Sequence, residues 1–78
     1  MKIEALIKMA NQIAAFFDGE GGHDPQEAAT LTATHLRRYW EPRMRKQILA
    51  HLDAGGHGLS DLGREGVQKL AQMQKAAA

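Results

Sequence analysis

The sequence predicts an all-α fold: a small bundle of roughly three to four short helices in one domain, residues 1–78. Three observations carry that expectation. Apolar residues recur at three- and four-residue intervals through several segments. Residues that favour strands are scarce, with one Val, four Ile and four aromatic side chains in the chain. The periodic segments are separated by glycine runs and one Glu-Pro step rather than by hairpin turns.

The first helix is expected over about residues 2–17. Ile3, Leu6, Ile7, Ala10, Ile13, Ala14 and Phe17 keep to one face, while Asn11 and Gln12 fall on the opposite, solvated side. Met9 and Phe16 lie off that stripe, so the apolar surface is wider than one face requires; it is either covered by the domain itself or left for a partner. Asp18-Gly-Glu-Gly-Gly-His23 should end the helix and act as a connector. It lacks the spacing of a phosphate-binding loop.

A second helix is expected over about 25–40. Asp24 is its N-cap, Pro25 its first residue, and Glu27 the partner in a capping box. Its inner face reads Ala28, Leu31, Thr32, His35, Leu36 and Tyr39. Glu41-Pro42 breaks it, and Pro42 opens a third helix over about 42–54, with Met44, Ile48 and Leu52 on the buried edge. A fourth follows over about 61–75, with Leu62, Gly66, Leu70 and Met73 on one face and Val67 and Ala71 beside it. Gly63 and Gly66 should each cost it about 1 kcal/mol against Ala. One element could splay onto another chain.

Composition excludes several function classes. No stretch approaches the ~18 apolar residues of a membrane span, and Lys2, Glu4 and Lys8 interrupt the start where a secretory signal would be continuous and apolar. The absence of Cys removes disulfides and thiolate metal sites, and fits a cytoplasmic location. Thirteen of the 34 apolar residues are Ala, so large core side chains are few, and a partner chain is the expected source of further stability. Exposed apolar edges also make self-association of the isolated chain an expectation. His23, His35, His51 and His57 show no i, i+3 or i, i+4 pairing, so no metal site is expected; His35 and His51 read as hydrogen-bonding residues near element ends. One Ser, with no nucleophile elbow around it, supports no catalytic triad, and the chain is read as non-catalytic.

Charge singles out one region. Residues 35–52 hold five of the ten cations and one acid. Arg37, Arg38, Arg43, Arg45 and Lys46 surround Tyr39 and Trp40 at the Pro42 corner. Arg favours planar recognition of carboxylate or phosphate, and Trp and Arg dominate interface hot spots. A partner-binding surface of Arg37, Arg38, Trp40, Arg43, Met44 and Arg45 is the favoured reading. A phosphate or cofactor contact would fall on Arg37, Arg38, Arg43 and Arg45. A nucleic-acid module is the weaker alternative, because the net charge is only +1 and acids are spread along the other segments.

Met9-Ala-Asn-Gln-Ile13 with Phe16-Phe17, then His35-Leu-Arg-Arg-Tyr-Trp-Glu-Pro-Arg-Met-Arg45, then His51-Leu-Asp-Ala-Gly-Gly56 and Gly58-Leu59, together give a definite likeness. Over roughly residues 5–72 the chain resembles the delta subunit of cytoplasmic NAD-dependent formate dehydrogenase, a molybdenum or tungsten enzyme. The resemblance implies an accessory subunit with no redox centre of its own, concerned with assembly, molybdenum-cofactor insertion or stability. It implies a partner alpha subunit carrying bis-molybdopterin guanine dinucleotide and iron–sulfur clusters, and beta and gamma subunits passing electrons through FMN and further clusters to NAD. Two roles for the corner then compete. Either the Arg set pairs with carboxylates or carbonyls of the large subunit while Trp40 and Met44 fill an apolar pocket there, or the Arg set touches phosphates of a guanine dinucleotide or pterin cofactor during maturation. The first is favoured, since no glycine-rich loop with a Lys-Ser/Thr pair accompanies the Arg set.

Overall fold

A computed structural model describes residues 2–20 and 24–77. Four helices account for the secondary structure among them: α1 (Ile3–Glu20), α2 (Pro25–Tyr39), α3 (Pro42–Asp53) and α4 (Asp61–Ala77). The starts are set by the expected chemistry. Asp24 sits in an extended conformation and its carboxylate accepts the Glu27 amide at 2.8 Å, with Pro25 as the first helical residue. Ser60 caps α4 in the same way: its Oγ accepts the Gly63 N–H at 3.0 Å. The end of α1 differs from expectation. The helix continues through Asp18 and Gly19 to Glu20, because one isolated glycine costs a helix only about 1 kcal/mol. The rest of the expected glycine stop, Gly21 to His23, lies outside the described residues.

No helix splays away. The Cα radius of gyration is 11.3 Å, and a compact chain of this length should give about 11.5 Å. α1 and α4 pack on each other, and α2 and α3 each pack on both of them. The shared core contains Leu6, Ala10, Ala33, Leu36, Trp40, Ile48, Leu59, Val67 and Leu70, with Met9, Ile13, Met44, Leu52 and Met73 packed around it.

The two glycines of α4 are close-contact positions rather than weak points. A Cβ on Gly66 would lie 2.6 Å from Thr32 Cγ2, and one on Gly63 would overlap Asn11 Oδ1. Each glycine therefore lets a neighbouring helix approach where a side chain would hold it off. Their propensity cost is real, but packing outweighs it.

That close approach also rotates α2 relative to the expected face. Ala28, Ala29, Thr32, Ala33 and Leu36 are its buried residues, whereas Leu31 and His35 are half-buried and Tyr39 is exposed. Small side chains face α4 because only they fit beside Gly66 at that separation. The larger Leu31–His35–Tyr39 edge turns outward, toward the C-terminal half of α1.

Candidate functional site

The α2–α3 corner is built from two extended residues. Trp40 (φ −84, ψ 140) ends α2 and Glu41 (φ −65, ψ 152) precedes Pro42, so the chain turns sharply and re-enters a helix at once. The extended step at Trp40 turns its side chain inward. The indole is 5% exposed and belongs to the core with Leu36 and Ile48. The expectation that it plugs a partner's pocket is thereby corrected: a side chain able to bury some 150–250 Å² is already seated in its own bundle. Met44 is half-buried against the same core and offers only part of its surface.

Arg45 is also committed. Its Nη1 donates to the Arg37 carbonyl at 3.2 Å and to the Trp40 carbonyl. One guanidinium from the first turns of α3 thus satisfies carbonyls left open at the end of α2, where positive charge is favoured. Arg37 and Arg38 lie in the last turn of α2 and are exposed; Arg43 and Lys46 are exposed on α3. Of the residues expected to meet a partner, then, the corner presents Arg37, Arg38 and Arg43 outward and uses Trp40, Met44 and Arg45 to hold itself together.

The Gly55–Gly58 loop between α3 and α4 is held by side chains from three helices. Arg64 donates from Nη1 to the Gly55 carbonyl at 2.9 Å and from Nη2 to the Gly56 carbonyl at 3.0 Å. His51 Nε2 and the His57 carbonyl are 2.6 Å apart, so the ring donates there. Asn11 donates to the Gly58 carbonyl at 3.0 Å and accepts the Ser60 amide at 2.9 Å. Asn11 is thus not a solvated residue on the far side of α1 but the link between α1 and the start of α4. Gly56 needs its identity twice over, with φ at +65 and Arg64 Nη1 2.6 Å from where a Cβ would be. His51 has the hydrogen-bonding role expected of it; His35 instead joins an aromatic row.

That row is the surface the residue pattern only hinted at. Phe16 and Phe17 meet edge-on at 5.4 Å, Phe17 and His35 at 6.3 Å, and His35 and Tyr39 lie 4.7 Å apart. Phe16 is 60% exposed and Tyr39 70%. Gln12, Ile13, Phe16, Phe17 and His35 line a depression of about 250 Å³. Phe17 and His35 also line its neighbour of about 230 Å³, with Leu31, Thr34, Arg38 and Tyr39. The two adjoin at the Phe17–His35 contact, and together they are the α1–α2 groove. The signal available in the sequence was Phe16, off the α1 stripe; Met9, its companion there, packs against the core.

Among the described residues, no three His, Cys, Asp or Glu side chains converge as a metal site, and no helix is long and apolar enough to cross a membrane. No curated protein matches the chain, and no solved structure does. One family model matches, described as the NADH-dependent formate dehydrogenase delta subunit FdsD, over residues 5–67. That span runs from the first turn of α1 through the α2–α3 corner and the Arg64-held loop to Val67, which takes in the corner and loop hydrogen bonds and both α4 glycine contacts described above. A match over most of the chain, covering the corner and loop motifs together, makes this protein a member of the formate dehydrogenase delta subunit family.

Proposed function

We propose that the chain is a non-catalytic accessory subunit of an NAD-dependent formate dehydrogenase: it binds the large catalytic subunit in the cytoplasm and supports assembly of the complex, molybdenum-cofactor insertion or stability. The family match over residues 5–67 carries this reading. The molecule supports it with a four-helix frame that presents Arg37, Arg38 and Arg43 on its surface, Arg38 lining the same depression as the exposed Tyr39. Exposed guanidinium groups next to aromatic side chains suit protein recognition, where Arg, Tyr and Trp contribute most of the affinity. In this reading the bis-molybdopterin guanine dinucleotide, the iron–sulfur clusters and FMN belong to the partner subunits.

The test is co-purification. A tagged chain should recover a large molybdenum- or tungsten-containing subunit, and the combined charge reversals Arg37→Glu and Arg43→Glu should weaken recovery without changing helicity by circular dichroism. Recovery of nothing above an untagged control would refute the reading.

A second reading makes the chain a guanine-nucleotide or pterin-cofactor-binding maturation factor, with the same Arg set meeting phosphates. It has less support, because the guanidinium of Arg45 is spent on the α2 carbonyls and that of Arg64 on the Gly55 and Gly56 carbonyls, which leaves fewer donors for a phosphate. A nucleotide selective for the folded chain must raise its melting midpoint, so melting curves with and without GTP separate the two.

A further inference from the structure

The groove between α1 and α2 is open, apolar and of one charge sign. Its walls are Ile13, Phe16, Phe17, His35 and Tyr39; Arg38 stands at the Tyr39 end, and no carboxylate lines either half. It is also preformed. Both walls are helical, and the rings brace one another at 4.7 to 6.3 Å. Rigid aromatic side chains offer large contact area with little conformational entropy left to lose. Phe16 and Tyr39 stay largely exposed at its two ends, while the buried face of α2 is made by Ala28, Ala29, Thr32, Ala33 and Leu36.

We propose that this groove receives an apolar segment of the formate dehydrogenase large subunit, one that places a carboxylate against Arg38. This deepens the accessory-subunit reading and rests on it. Charge complementarity selects the occupant. A nucleic-acid strand would need cations spaced along its path to follow the phosphates, and here the full positive charge stands at one end. A second copy pairing through the same groove would bring it no carboxylate, because a twofold contact offers each copy the same lining. An apolar protein segment with an acidic end satisfies both the rings and the guanidinium.

The experiment measures binding of the purified large subunit to the full chain by biolayer interferometry, with helicity checked for each variant. Phe16→Ala and Tyr39→Ala remove exposed rings, Arg38→Glu reverses the charge, and Gln72→Ala on α4 is the surface control. Each groove variant should weaken binding about tenfold or more, with Gln72→Ala unchanged and the Arg38→Glu loss shrinking as salt rises. If the wild-type chain binds and the groove variants bind equally well, the groove proposal is overturned while the accessory-subunit reading stands. If the wild-type chain does not bind, that reading fails and takes the groove with it. Sedimentation that reveals a dimer dissolved by Tyr39→Ala, with large-subunit affinity unaltered, assigns the groove to self-association and overturns the proposal. A single-stranded RNA oligonucleotide whose binding requires Tyr39, again with large-subunit affinity unaltered, overturns it too.

Discussion

Arg45 donates to the carbonyl of Trp40, five residues before it, so the guanidinium of α3 fastens the end of α2 across the Glu41-Pro42 corner. The contact joins two residues that a linear reading places together in a partner-binding set. Inside the folded chain one is core and the other is a clasp.

Removing the clasp should cost stability before it costs recognition. Arg45→Met leaves the Arg37 and Trp40 carbonyls without their donor, and a hydrogen bond to a charged group contributes about 1.5–3 kcal/mol. Partial solvation of the corner places the expected loss near the lower end. Arg45→Lys should fall between, since an ammonium lacks the planar fork. Arg43→Met, on an exposed side chain, should change stability by no more than about 0.5 kcal/mol. Urea midpoints at constant m-value rank the three; equal midpoints for Arg45→Met and Arg43→Met would remove the clasp.

Two glycine-to-alanine substitutions should have opposite signs. Gly66→Ala puts a methyl 2.6 Å from Thr32 Cγ2 and should destabilise by about 1–3 kcal/mol despite better helix propensity. Gly19→Ala, helical with nothing within 4 Å of the added carbon, should stabilise by up to about 1 kcal/mol. Thermal midpoints moving the same way in both variants would contradict the close α2–α4 contact.

Asn11 is expected to behave as a half-buried tie between helices rather than a free surface amide. Asn11→Ala frees the Gly58 carbonyl and the Ser60 amide to solvent, and should cost about 0.5–1.5 kcal/mol. Hydrogen exchange should quicken first at Ser60 and the first turn of α4. Gln12→Ala, one residue on and exposed, should leave both measurements unchanged.

The chain has one Trp, which makes its burial directly observable. Folded-state fluorescence should be blue-shifted and resist acrylamide quenching, then shift red on unfolding. Trp40→Ala should cost about 3–5 kcal/mol. Strong quenching of the native protein would return the indole to the surface.

The helical class, the element order and most element ends were written in the chain itself, because they depend on short-range chemistry. Asp24 before Pro25, the Glu41-Pro42 step and the i, i+3, i+4 apolar spacing act within a few residues of one another. The cationic enrichment around the corner was equally legible, as was the likeness to the delta subunit family. Which arginines face outward was not. Arg37, Arg43 and Arg45 look alike in one dimension, and only the turn at Trp40 brings carbonyls within reach of Arg45 alone. Asn11 and Gly58 are 47 residues apart, and no local rule pairs them. The face of α2 was decided by Gly66, a residue on another helix, whose missing side chain draws Thr32 and the alanines inward and leaves His35 and Tyr39 to form the groove. Local propensity determines where a helix begins and ends; which of its sides is buried depends on how closely its neighbours can approach, and that distance exists only once the helices have packed.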